Sequence, residues 1–176
     1  MIKVCFTGPR PSKLGGYDLN SYMNFIILQR VINCLESLLD KSNHCYYFIV
    51  GGALGFDTIC AITVLDLKEK YKDRIKLEVA VPFKDQSIVW KSKEDITRYN
   101  YILENADKVT YVDTLAQYDT KTTISGKYHV AKLQKRNEYM VDNSSVVITW
   151  YNGSGGGTGN CLRYAKRHDK TIINLY

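Results

Sequence analysis

No apolar run in this 176-residue chain approaches the length needed to cross a membrane. The opening Met-Ile-Lys-Val-Cys-Phe-Thr-Gly turns after a few apolar residues, too soon for the hydrophobic region of a secretory leader, so a cytoplasmic protein is expected. Cysteine is scarce and unpatterned: Cys5, Cys34, Cys45, Cys60 and Cys161 are odd in number and contain no C-x-x-C pair. That argues against a disulfide framework and a zinc site, and the five read as reduced, mostly buried, small apolar residues. His44, His129 and His168 stand apart, without metal-ligand spacing or a nearby nucleophile motif, and no metal is expected. The G-x-G-x-x-G fingerprint of dinucleotide dehydrogenases is missing, and Gly126-Lys127 lacks the upstream glycine and following Ser/Thr of a P-loop. No tract of biased composition, linker or fixed-period repeat is present. The 45% apolar and 24% charged fractions are those of an ordinary globular protein, and one domain over residues 1–176 is expected. The formal charge of +6 favours anionic partners without choosing between a small phosphorylated ligand and nucleic acid.

Short apolar runs bounded by turn residues predict strands at Ile2–Phe6, Tyr46–Val50, Leu77–Val81, Lys108–Val112, Val146–Trp150 and Thr171–Leu175. Helices are predicted between them. Residues 21–39 place Phe25, Leu28, Ile32, Leu35 and Leu39 on one stripe, and a second helix carries Cys60, Val64, Leu67 and Tyr71. A third runs from about Ser87 to Glu104, a fourth from about Leu133 to Asp142, and a fifth over 159–168. Residues 113 to about 131 show no period and read as a long, mobile loop of the kind that forms lids or binding segments. Apolar strands alternating with helices indicate an α/β Rossmann-like fold, with a mostly parallel sheet covered on both faces. Loops leaving the carboxyl ends of such strands line the ligand crevice, so glycine clusters distant in sequence are expected to converge.

Ser154-Gly155-Gly156-Gly157-Thr158 lies between a strand and a helix, where glycine backbone and a helix N-terminus together can cradle a phosphate. Gly51-Gly52-Ala53-Leu54-Gly55 ends the second strand in the same way, and Asp57 behind it reads as a helix N-cap or a catalytic acid. Gly8 and Arg10 end the first strand in a proline-stiffened turn, where the arginine can hold a phosphate by two parallel hydrogen bonds or stitch two loops by a salt bridge. Arg136 and Asn137 precede the cradle strand in position to face it. Phe83, Trp90 and Tyr99 offer a stacking surface for a base, or simply core. Cations gather at Lys127, Lys132, Lys135 and Arg136, and again at Arg163, Lys166, Arg167 and Lys170; the second group is a binding surface or a solvated helix face.

Together, Thr7-Gly8-Pro9-Arg10-Pro11, the run Gly51 to Asp57, Val81-Pro82-Phe83 with Gln86 and Trp90, Arg136-Asn137-x-x-Met140-Val141-Asp142, and Ser154 to Thr158 resemble the YpsA/YoqJ family of the SLOG superfamily. The resemblance covers nearly the whole chain. It implies a Rossmann-like fold whose glycine-rich loops hold nucleotide-like ligands, with LOG phosphoribohydrolases and the DNA-processing protein DprA as wider relatives and some members carried by prophages. LOG enzymes place a glutamate three residues after the Gly-Gly-x-Gly-Thr threonine; here that position is Cys161. The resemblance therefore implies sensing or sequestration of an ADP-ribose, NAD-like or cyclic-nucleotide species, with no required cofactor and with homo-oligomers expected. Two other functions follow from it: N-glycosidic cleavage of a nucleotide, resting on Arg136 with Asp57, Asp142 or Glu138 in place of the glutamate, and single-stranded nucleic-acid binding of the DprA kind.

Overall fold

The computed structural model describes residues 1–121 and 123–176. Six strands, β1 (Ile2–Thr7), β2 (Tyr46–Val50), β3 (Ile75–Val81), β4 (Lys108–Tyr111), β5 (Val146–Thr149) and β6 (Thr171–Asn174), form one parallel sheet in the order β4-β3-β2-β1-β5-β6. Five helices cover it: α1 (Tyr22–Asp40), α2 (Phe56–Tyr71), α3 (Lys93–Asn105), α4 (Val130–Asp142) and α5 (Gly157–Arg167). The chain builds outward from β1 to β4 on one side and then returns to add β5 and β6 on the other. That reversal splays the loops after β1 and β5 apart and opens a crevice at their carboxyl ends.

Two apolar layers sandwich the sheet. Ile27, Val31, Leu35 and Leu39 of α1, Ile59, Val64 and Leu67 of α2 and Ile102 of α3 pack on one face against Phe6, Phe48 and Leu77. Tyr139 and Met140 of α4 and Leu162 and Ala165 of α5 pack on the other against Ile49 and Val147. Because both faces are covered, the inner strands β1, β2, β3 and β5 are largely apolar rather than alternating, while the edge strands β4 and β6 carry exposed polar residues.

The expected strands lie within two residues of the observed ones at each end, but the helices depart from the reading in instructive places. On α1 the buried stripe is Asn24, Ile27, Val31, Leu35 and Leu39, and Phe25 is exposed. The two possible stripes share Leu35 and Leu39; Asn24 decides between them, since its amide donates to the carbonyls of Gly16 (3.1 Å) and Asp18 (2.7 Å) and draws its face inward. Helix α3 starts at Lys93 rather than near Ser87, because the Ser92 hydroxyl accepts from the Asp95 N–H at 3.2 Å and Glu94 and Asp95 suit the positive end of the helix. Trp90 thus precedes the helix and meets Tyr99 edge-on, 5.0 Å between centroids.

The aperiodic stretch before α4 contains two short 3-10 turns, Val112–Thr114 and Ala116–Tyr118, and is held down by a buried lysine. Lys132 Nζ reaches Asp113 Oδ2 (2.9 Å) and the carbonyls of Ile124 (2.6 Å) and Lys127 (3.0 Å), while the same carboxylate accepts from Gly126 N–H (2.8 Å). Thr122, inside the segment expected to be mobile, lies outside the described residues.

Candidate functional site

The crevice is floored by an ion pair. Asp57 occupies the first turn of α2 rather than its N-cap, which is Gly55, and its Oδ2 accepts from the N–H groups of Gly51 (3.1 Å) and Ala53 (3.3 Å). Arg136 of α4 crosses the sheet edge to lie 3.4 Å from the same oxygen and to donate from Nη1 to the Gly51 carbonyl. Both side chains are buried. Burial pushes the Asp57 carboxyl up against the opposing pull of Arg136, Arg10 and the two amides, and it pulls the Arg136 guanidinium down against Asp57. The Arg136 Nε is buried with no hydrogen-bond partner among the described residues, and the side chain lines the cavity.

The glycines at 51–55 make this packing possible. A Cβ on Gly51 would overlap Arg136, and one on Gly55 would stand 2.7 Å from the Pro9 carbonyl. That carbonyl accepts from Phe56 N–H at 3.2 Å, while Gly8 leaves room for the Phe56 ring. These glycines lock the loops after β1 and β2 together.

The glycines after β5 are of another kind. Ser154 N–H bonds to the Asn152 side chain at 3.0 Å, Gly153 (φ 90°) and Gly156 (φ 124°) take left-handed backbone, and α5 begins at Gly157. A Cβ on Gly153, Gly155, Gly156 or Gly157 would meet nothing within 4 Å, so this loop opens onto free space. The first N–H groups of a helix have no intrahelical acceptor, and Gly157, Thr158 and Asn160 of the first turn of α5 line the crevice. Lys13, in the 3-10 turn Pro11–Lys13, reaches the Gly155 carbonyl at 3.4 Å and joins the two rims.

The resulting cavity of about 440 Å³ is lined by Gly8, Arg10, Asp57, Arg136, Asn137 and the whole Ser154–Thr158 loop, all singled out in the sequence. Three cations, Arg10, Lys13 and Arg136, face it against one carboxylate, Asp57. The structure also adds residues that the sequence reading missed. Lys13 gives no local signal. Val130, Leu133 and Gln134 share with Asn137 the i, i+3/i+4, i+7 face of α4 and could have been found from that spacing. Tyr151 lies two residues beyond β5, and Asn160 lies one turn into α5.

Other expected residues fall elsewhere. Gly51, Gly52 and Gly55 lie behind the crevice wall; Gly52 (φ 64°) presents its carbonyl to Gln86 Nε2. Leu54 and Trp90 line a separate cavity of about 730 Å³ with Tyr17, Asp18 and Glu94. Phe83 is buried, its ring edge-on to Tyr128 at 5.7 Å. Cys161, where LOG enzymes carry their glutamate, is fully buried beneath the loop, and burial pushes its thiol up to about 11. Among the described residues, no cluster of three or more His, Cys, Asp or Glu could hold a metal ion, and no helix is long and apolar enough to cross a membrane.

The sequence model of the YpsA SLOG family matches residues 4–172. The chain belongs to this family. The match runs from inside β1 into β6 and so takes in every element that lines the crevice. Among similar proteins, the SPbeta prophage-derived protein YoqJ of Bacillus subtilis is 41% identical over 138 residues, covering 78% of this chain and 79% of YoqJ. A UPF0398 protein of Brevibacillus brevis is 29% identical, covering 100% of this chain and 88% of the relative. Solved structures of DprA share the fold. The Streptococcus pneumoniae protein superposes with a TM-score of 0.62 at 16% identity over 99% of this chain. The Helicobacter pylori protein, described with a single-stranded DNA binding mode, does so with a TM-score of 0.57 at 17% identity over 98% of it. This YpsA SLOG member spans only 50% and 64% of those two DprA chains.

Proposed function

We propose that the chain binds a phosphate-bearing, nucleotide-derived small molecule in the crevice between β1 and β5, as a sensor or sequestering protein. The observation that carries this reading is the open loop Ser154–Thr158 at the start of α5, in a cavity that Arg10, Lys13 and Arg136 also line. A phosphate seated there receives backbone N–H groups and the favourable end of the helix, while the cations complete its charge. Val130, Leu133 and Tyr151 supply an apolar wall for the nucleoside, and the volume falls in the roughly 300–1,000 Å³ range of small-molecule sites.

Binding is favoured over N-glycosidic cleavage because Asp57, the one carboxylate among the described residues that line the cavity, is already engaged by Arg136 and two backbone amides, and the neighbouring Cys161 is buried. A carboxyl that acts as general acid or base must be free to exchange its proton with the substrate within reach of the scissile bond. Calorimetric titration with nucleoside monophosphates, ADP-ribose, NAD and cyclic nucleotides tests the reading, with chromatography of the same mixtures for released base. Saturable binding without base release is expected. Folded protein that binds none of them at millimolar concentration overturns it, and stoichiometric base release moves the chain to the hydrolases.

A further inference from the structure

The crevice does not end at the cradle. A shallow groove of about 460 Å³ between α4 and α5 shares Gln134 and Asn160 with it, so the two are continuous across the first turns of α5. Arg163 and Arg167, four residues apart and hence on one face of α5, line the groove. Arg163 donates to the Asn160 side chain, and neither arginine meets a carboxylate within ion-pair distance among the described residues. Glu138, the one acid among the described residues lining the groove, is taken by Lys135 at 2.7 Å and Gln134 at 3.2 Å. Two guanidinium groups without a carboxylate partner among the described residues thus stand beside the opening of the cradle.

We propose that this groove is a second anion subsite, and that the ligand class is a nucleotide bearing phosphates at two positions separated by its sugar. The inference rests on the function proposed above, which supplies the first phosphate. Side chains on a helix lean toward its N-terminus, and the bond to Asn160 fixes that lean for Arg163. Its guanidinium therefore lies near the level of residue 160, about 5 Å along the axis from Gly157 at roughly 1.5 Å per residue. One sugar spans such a gap; adjacent phosphates of a pyrophosphate do not need it. Arginine suits the second position because its planar fork accepts a phosphate through two hydrogen bonds.

The test is calorimetric titration of the full chain with 5′-AMP and with adenosine 3′,5′-bisphosphate, repeated on the double variant Arg163→Ala, Arg167→Ala. The bisphosphate is expected to bind the parent chain about tenfold tighter than AMP, as one added charge-assisted contact allows. In the variant that preference disappears while AMP affinity stays within about twofold, since both arginines are exposed and outside the cradle. Equal affinities in the parent, or a preference that persists in the variant, overturn the subsite and leave the cradle standing. Failure of both ligands to bind the folded parent overturns the cradle as well. A 5′-phosphorylated oligothymidylate that binds tighter than the bisphosphate and weakens steeply with salt would assign the arginines to nucleic-acid backbone instead.

Discussion

Arg136 lies 3.4 Å from Asp57 although 79 residues separate them in the chain, and their contact is what closes the floor of the crevice. Truncating the arginine leaves a buried carboxylate and the Gly51 carbonyl without their cation. Arg136→Met is expected to cost about 3–5 kcal/mol of stability, and adding Asp57→Leu should recover part of that loss. Urea denaturation of the two variants measures it; a single variant as stable as the parent would show that the pair carries no weight.

The two glycine clusters should respond to substitution in opposite ways. Gly51→Ala forces a methyl group into Arg136 and to within 2.7 Å of Asp57 Oδ2, and is expected to destabilise by about 3 kcal/mol. Gly155→Ala adds a methyl group in open space without left-handed strain, so its stability should stay within about 0.5 kcal/mol while affinity for a nucleoside monophosphate falls. Thermal melts and titrations on the same preparations separate the two.

Arg10→Ala and Lys13→Ala should leave stability almost unchanged. Each is expected to weaken nucleotide binding by about tenfold, the loss of one charge-assisted hydrogen bond. Unaltered affinity in both would remove the first-strand turn from the site.

Stability should also fall in acid through Glu78. Burial alone would raise its carboxyl, but hydroxyls of Thr110 (2.6 Å), Tyr139 (2.6 Å) and Tyr47, with Lys108 at 3.2 Å, hold it below the ordinary range. Because the folded value lies below the unfolded one, this contribution is complete above about pH 4.3 and is lost as pH falls from there through the folded value. Glu78→Gln should therefore be less stable at neutral pH and flatter below about pH 4.3. Urea midpoints across that range check it, and identical slopes would contradict it.

Much of this was legible in the chain. Apolar runs ending in Thr7-Gly8, Val50-Gly51 and Trp150 to Gly153 marked the strands, their parallel direction and the edge where the crevice opens, because turn chemistry and burial on both faces leave a plain local trace, whereas the order β4-β3-β2-β1-β5-β6 did not show in the chain. The purposes of the glycines were not legible. Gly51, Gly52 and Gly55 look like the Gly155–Gly157 run in sequence, and only the tertiary contacts to Arg136, Gln86 and Pro9 show that the first group packs while the second stays open. Trp90 looked helical because its spacing to Tyr99 fits a helix, yet the Ser92 cap starts α3 after it. Lys13 left no local trace because its partner, Gly155, is 142 residues away.

The most direct measurement is a heteronuclear NMR titration of the isotope-labelled chain with 5′-AMP, following the backbone N–H signals of Gly155, Gly156, Gly157 and Thr158. If the cradle holds phosphate, these four move first and farthest, together with the Arg136 side-chain N–H, and they do not move with adenosine. Signals that stay in place, or shifts confined to Leu54, Trp90 and their neighbours, would contradict the account.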